Sequence, residues 1–323
     1  MKTNKLKFIS LIALFALSFS SCNDDDPMVI TDNTITGIAS RTTDLSILVQ
    51  ALTKADLAGT LQSTGPFTVF APTNAAFTSF LSANGFANLD AVPTPLLKEI
   101  LLNHVISGEI QSTGLVNNSY IKTLGKGTAS ATNTLSMYVN TTSGVQLNGV
   151  SSVTTPNVLA SNGVIHIVNA VIGLPTIVTH ATANPNFTSL VGALTGPGQP
   201  AFTTILSGTG PFTVFAPTNT AFTNLGIELA AIPFSPSTAQ LTSVLQYHVI
   251  NGNVLASALP TVVAGGGIVP TLNTQNITIS LTGGAKITGT FSPTRPASNI
   301  VLTDVQCSNG AIHVLDKVLL PTL

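Results

Sequence analysis

Five histidines and two cysteines are the side chains of this 323-residue chain best suited to chemistry. Four of the histidines form pairs that recur along the chain, His104 with His248 and His166 with His313. Two imidazoles per copy fall short of the four ligands of a closed zinc site, and no cysteine or acidic cluster recurs beside them. They read as buried rings whose nitrogens bond main-chain groups or Thr and Asn side chains, and no metal is expected. His180 aligns with Ile38, so the repeated fold does not require it. Nucleophilic catalysis needs a nucleophile, a base and an orienting acid within reach. Glu99 and Glu109 stand near His104, but the second copy has Gln246 and no acid at the matching places. Gly-x-Ser-x-Gly, His-Glu-x-x-His and Cys-x-x-Cys motifs are all absent. Gly125-Lys-Gly-Thr128 lacks the spacing of a phosphate loop, and Gly265-Gly-Gly267 precedes no helical pattern and reads as a loop or bulge. Cys307 aligns with Ala160 and reads as a small buried strand residue. No catalytic residue and no cofactor is expected, and the chain reads as non-enzymatic.

The elements that must position these residues are written twice. Gly65-Pro-Phe-Thr-Val-Phe-Ala-Pro-Thr-Asn-Ala-Ala-Phe77 returns as Gly210-Pro-Phe-Thr-Val-Phe-Ala-Pro-Thr-Asn-Thr-Ala-Phe222, with twelve of thirteen positions identical at an offset of 145. His104-Val-Ile106 matches His248-Val-Ile250, and Ser161-Asn-Gly163 with His166 matches Ser308-Asn-Gly310 with His313. So long a period makes each copy a complete domain rather than a solenoid unit. The expected domains are 34–175 and 176–323, with a turn-forming insertion at Gly196-Pro-Gly-Gln-Pro200. Leu45, Leu48, Val49 and Leu52 are spaced as one helix face. Phe67 to Ala71 is apolar on both faces, as in a central strand, and Pro72 ends it. Thr73 caps a following helix, and Thr94-Pro95 opens another. From Tyr120 onward the pattern is β, and Asn162-Gly163 signals a hairpin between the last two strands. Helices early and strands late make an α+β arrangement.

The Thr-Val-Phe-Ala-Pro-Thr-Asn box, the following Ala-Phe, the mid-domain His-Val-Ile and the late Asn-Gly-x-Ile-His together resemble the fasciclin (FAS1) domain family. Tyr247-His248 resembles that family's Tyr-His motif; the first copy has Asn103 in place of the Tyr. The resemblance implies two domains, each a β-sandwich wedge with several packed helices. It also implies extracellular, often membrane-tethered proteins in adhesion and matrix contacts, with no enzymatic activity. In animal members the Tyr-His pair with flanking branched aliphatics is taken to contact integrins. Here Leu245, Val249 and Ile250 flank it, so Tyr247 and His248 are candidate contact residues; the same residues at a helix-to-strand junction also make good core material.

Composition agrees with a neutral surface protein. Only 7% of residues are charged, the 11 basic and 12 acidic residues nearly cancel, and Thr occurs 46 times. Such a balance offers no basic face for nucleic acid. Past residue 21 no apolar run reaches the roughly 20 residues of a spanning helix. Lys2, Lys5 and Lys7 precede the apolar run Phe8 to Phe19, then Ser20, Ser21 and Cys22, which reads as a secretory signal over 1–21. Cys22 resembles the acylated cysteine of a bacterial lipoprotein, although Phe19 stands where Leu is usual and Ser21 where Gly or Ala is usual. A plain secretory signal with an incidental cysteine is the alternative. Asn23, Asp24, Asp25 and Asp26 resemble the surface-export signal of Bacteroidota lipoproteins, and 22–33 reads as a hydrated acidic tether. The expectation is a lipid-anchored outer-membrane protein facing the exterior, with a cell-surface or matrix protein or glycan as partner. The alternative is an accessory glycan- or small-ligand-binding lipoprotein of an outer-membrane uptake system.

Overall fold

The computed structural model describes residues 31–229, 236–291 and 295–323, and 32–323 form one compact unit. The signal segment, Cys22 and residues 23–26 lie outside the described residues. In the first repeat the helices α1 (Ile35–Arg41), α2 (Ser46–Lys54) and α3 (Ala58–Gln62) precede β1 (Phe67–Pro72). Helix α4 (Asn74–Ala83) follows under the Thr73 cap, whose hydroxyl accepts from the Ala76 N–H, and α5 (Thr94–Leu102) has Pro in its first turn. Six strands complete the repeat: β2 (Val105–Ser107), β3 (Ser119–Lys122), β4 (Ser136–Asn140), β5 (Gln146–Leu147), β6 (Ser151–Ala160) and β7 (Gly163–Val168). The second repeat returns the plan as α6 (Ile177–Ala183), α7 (Thr188–Leu194), α8 (Phe202–Ser207), β8 (Phe212–Pro217), α9 (Asn219–Leu229) and α10 (Thr238–Tyr247). After β9 (Val249–Asn251) it adds α11 (Leu259–Ala264), then β10 (Ile268–Pro270), β11 (Asn276–Ser280), β12 (Lys286–Thr288), β13 (Ser298–Cys307) and β14 (Gly310–Leu315).

Each repeat holds one seven-stranded sheet, in order β2-β1-β7-β6-β5-β4-β3 and β9-β8-β14-β13-β12-β11-β10. All pairings are antiparallel except β1 with β7 and β8 with β14, which are parallel. The motif strand is central, as its two apolar faces require: Phe70 is paired with His166 and faces β4 and β5, and Val69 is paired with Ile165 and faces the helices. The expected sandwich is a single sheet curled over, not two separate ones. Phe70 of β1 shares a buried cluster with Met137 and Val139 of β4 and Leu147 of β5. Three strands separate β1 from β4, a distance of roughly 19 Å across a flat sheet. The bend lies in β6, whose register to β7 slips between Val153, Thr155 and Val158, with Asn157 at φ +61°. Asp304 at φ +61° marks the same bend in β13.

The hairpin Asn is a clasp as well as a turn residue. Asn162 Oδ1 accepts from the Ile35 N–H at 2.9 Å, and its Nδ2 donates to the Leu61 and Ser63 carbonyls, both at 2.8 Å. Asn309 makes the same three bonds, to Ile177, Leu206 and Gly208. Gly163 follows at φ +145°, where any Cβ would run into the Phe67 carbonyl. The motif Asn behaves alike: Asn74 accepts from Ile47 N–H and donates to the Thr43 carbonyl, and Asn219 accepts from Ser189 N–H and donates to the Pro185 carbonyl. Asn162→Ala and Asn309→Ala each strand three main-chain groups, two of them in buried bonds, so each is expected to cost at least about 2 kcal/mol. Asn88→Ala, which removes only an exposed cap bond to Ala91, is expected to cost about 1 kcal/mol or less. Urea midpoints with unchanged slopes would report both; equal small losses would refute the clasp.

Candidate functional site

The four paired histidines sit where elements must be joined. His104 follows α5, and its Nδ1 donates to the Ile100 carbonyl at 2.7 Å while its Nε2 accepts from the Ile172 N–H at 2.9 Å. His248 does the same after α10, with Val244 at 2.7 Å and Leu319 at 2.9 Å. His166 lies in β7, stacks on Phe70, donates through Nε2 to the Ile110 carbonyl and accepts at Nδ1 from the N–H of Asn157 in the bend of β6. His313 mirrors it, with Phe215, Val254 and Asp304. Every ring nitrogen of these four is thus engaged by main chain, and each ring is neutral, one nitrogen donating and the other accepting. Burial pushes the His104 and His248 pKa values down to about 4, and lowers those of His166 and His313 as well. Glu99 does not orient His104; its carboxylate accepts from the N–H groups of Lys126 and Gly127. Among the described residues no group of three or more His, Cys, Asp or Glu is placed to hold a metal ion.

The candidate contact pair is internal. Tyr247 has 0% of its surface exposed, its hydroxyl donates to the Asn276 carbonyl at 2.6 Å and accepts from the Thr290 N–H at 3.1 Å, and His248 is buried beside it. In the first repeat Asn103 takes the place of the Tyr and its Nδ2 donates to the Gly173 carbonyl at 2.9 Å, its Oδ1 accepting from the Thr123 hydroxyl. Tyr247 thus ties the end of its helix to β11 and Asn103 ties its helix to the segments after β3 and β7, and neither Tyr247 nor His248 forms part of the surface in this conformation.

His180, which the repeat alignment leaves without a role, is fully buried where the two repeats meet. Its ring lies edge-on to Tyr120 with centroids 5.4 Å apart, and neither nitrogen has a hydrogen-bond partner among the described residues. Burial first, then the nearby Lys122 charge, lowers its pKa to about 3. Around it the repeats are tied together. Lys122 Nζ donates to the Asp304 carbonyl at 2.8 Å and to Ser136 Oγ at 3.0 Å, and Ser136 Oγ accepts from the Gln306 N–H at 3.0 Å. Asn184 Nδ2 donates to the Tyr120 hydroxyl, and the Ser308 carbonyl accepts from the N–H groups of Thr128 and Ala129. Cys307 is buried at the end of β13, and burial pushes its thiol well above the usual range, so it stays protonated.

These neutral rings set a pH dependence. The unfolded chain takes up a proton on each His near pH 6.5, whereas the folded chain resists until about pH 4 at His104 and His248 and about pH 3 at His180. Their stabilisation is complete above pH 6.5 and falls as pH drops below it, at about 1.4 kcal/mol per pH unit for each ring. Urea midpoints are expected to be flat from pH 7 to 8 and to decline below 6.5; a flat profile down to pH 5 would contradict the neutral-ring assignment. His104→Ala and His248→Ala should each cost about 1–3 kcal/mol. Chelator should leave the melting temperature unchanged, and a fall would point to a metal instead.

Comparison with known proteins follows the repeat. Residues 43–175 and 185–321 match the fasciclin domain model. The chain is 34% identical over 152 residues to protein sll1483 of Synechocystis, a match covering 46% of this chain and 74% of that protein. It is 29% identical over 276 residues to mouse stabilin-1, covering 81% of this chain and 10% of that protein. The pig transforming growth factor-beta-induced protein ig-h3 is 28% identical over 273 residues, covering 81% of this chain and 35% of that protein. A solved domain pair from the insect cell adhesion molecule Fasciclin I superposes with a TM-score of 0.49 at 20% identity, covering 86% of this chain and 97% of that one. No helix among the described residues is long and apolar enough to cross a membrane. With both repeats matched nearly end to end, the chain belongs to the fasciclin domain family, whose members are non-enzymatic.

Proposed function

We propose that this protein is a lipid-anchored cell-surface component that mediates adhesion or matrix contact through tandem fasciclin domains, 34–175 and 176–323. The observation that carries the reading is the fasciclin pair lying behind an N-terminal segment whose apolar run, Phe8 to Phe19, is followed by Ser20, Ser21 and Cys22. Acylation of Cys22 would supply the anchor, since each buried CH₂ contributes roughly 0.8 kcal/mol and two or more chains hold stably. Asn23, Asp24, Asp25 and Asp26 would then direct the protein across the outer membrane to face outward. The partner is a cell-surface or matrix protein or glycan, in keeping with the way fasciclin domains engage extracellular molecules generally. With 7% charged residues, contact depends little on ionic strength. A second reading, an accessory glycan- or small-ligand-binding lipoprotein beside an uptake system, draws support from an open cleft in the first repeat.

Mass spectrometry of the mature protein should find Cys22 at the N-terminus carrying acyl chains, and Cys22→Ser should release the protein or block its processing. An unmodified mature chain starting elsewhere would end the lipoprotein reading. Replacing Asp24, Asp25 and Asp26 by Ala should keep the lipid but reduce accessibility to external protease. In adhesion assays on cells and immobilised matrix glycans, cells displaying the full chain should bind similarly at low and high salt. Tyr247→Asn should lower the melting temperature, and adhesion only in step with it; adhesion lost at an unchanged melting temperature would make Tyr247 a contact residue. Failure to bind any cell or glycan surface would favour the second reading.

A further inference from the structure

The two repeats differ most informatively at one place beside the motif helix. In the second repeat, Glu228 of α9 is paired with Arg295 at 3.0 Å and with Lys317 at 3.3 Å, and Arg295 Nη1 donates to the Val318 carbonyl at 2.7 Å. Equivalent bonds fix the correspondence with the first repeat. Ile172 and Leu319 each donate N–H to the paired His, and Ser151 and Ser298 donate their hydroxyls to the carbonyls of Ala170 and Lys317. Ala170 thus stands for Lys317, Val171 for Val318, and Ala83 of α4, at the motif offset of 145, for Glu228. Leu147 pairs with Ser151 as Ile287 pairs with Ser298, so the turn at 148–150 is shorter than its second-repeat counterpart and holds no equivalent of Arg295.

With the three charged side chains gone, a cleft of about 390 Å³ is left between α4, the turn at 148–150, the segment 170–175 and Thr179 of α6. That volume lies in the range of roughly 300–1,000 Å³ typical of small-ligand sites. Asn148 lines it and is 2% exposed; its Oδ1 accepts from the Tyr138 N–H at 2.7 Å, and its Nδ2 has no partner. A buried amide donor left unpaired is costly, and a ligand oxygen would recover that cost. No charged residue lines the cleft, Phe80 supplies a half-buried aromatic wall, and the Ser79 and Thr179 hydroxyls are the other side-chain polar groups near it besides Asn84.

We infer that this cleft of the first repeat binds a neutral saccharide unit, a ring with an apolar face for Phe80 and hydroxyl oxygens for Asn148 Nδ2. The inference rests on the matrix-contact reading and names its ligand class. In the second repeat the same place is closed by the protein's own Arg295.

The test uses the full mature chain, labelled for NMR and titrated with lactose, maltose and cellobiose at millimolar concentrations, with a sulfated heparin disaccharide and a neutral apolar peptide as comparisons. At least one neutral disaccharide should shift the Asn148 side-chain amide together with Val171–Gly173 main-chain signals. Ala83→Trp, a substitution at an exposed position that covers the cleft without disturbing the core, should weaken that binding by about tenfold or more. Asn148→Asp keeps the acceptor to Tyr138 and removes the donor, and should also abolish the shift if it folds; Ala83→Trp decides the matter if it does not. Silence from all three neutral sugars, preference for the sulfated sugar, a response to the peptide alone, or binding unaffected by Ala83→Trp would each overturn the inference. Adhesion retained by a chain that binds none of the sugars would overturn the cleft while leaving the adhesion reading intact. Sugar binding at the cleft by a chain that adheres to nothing would instead support the cleft and reject adhesion.

Discussion

A neutral imidazole bonded to main chain at both nitrogens is the constraint on which each repeat depends. His104 joins the end of α5 to the segment returning after β7, and His166 satisfies the N–H exposed by the bend in β6. Without the first, the end of α5 loses its side-chain bond to the segment returning after β7. Without the second, the bend that lets β1 and β4 share one core leaves an unpaired donor in it. A chain with so few charges cannot use ion pairs for such joints. Among the described residues the only salt bridges converge on Glu228, and uncharged Asn, Thr, Ser, Gln and His side chains make most of the interior polar bonds. Neutral joints avoid the desolvation penalty of buried charge, and they hold only while the rings stay unprotonated.

The repeats share these joints and diverge elsewhere. The divergences cluster where the second copy meets the first: His180, Tyr120, Lys122 and the bonds to β13 have no equivalents within either copy alone. The repeats differ likewise beside the motif helix, open next to α4 and occupied by Arg295 next to α9.

Much of this was legible beforehand. The motif strand between two partners, the Thr73 cap, the Pro95 helix start and the Asn162-Gly163 hairpin follow from local rules that two copies state twice. The bonding of the paired histidines to main chain was equally readable, because no acid or cysteine recurs with them. The curl of the sheet was not, since the slips at Val153, Thr155 and Val158 leave no mark in an alternating pattern and became visible only through cross-strand register. His180 was opaque for a different reason. Aligning one copy with the other reports what both need internally and is silent on a residue that one copy presents to the other. Asn148 was hidden likewise, because an unpaired donor is a property of its surroundings rather than of its type.

The clasp at the hairpin has a mechanical meaning. The chain enters the first repeat at Asn33 to Ile35, held by the main chain of Ser161 and the side chain of Asn162 at one end of β7, and leaves it past Val168 at the other end. The second repeat is entered in the same way, with Pro175 bonded to Ser308 and Ile177 to Asn309. Tension applied between these entry points therefore runs along β7, lengthwise between its parallel neighbour β1 and its antiparallel neighbour β6. Such a load shears whole ladders at once instead of peeling them one bond at a time, so each repeat resists being drawn out along that line.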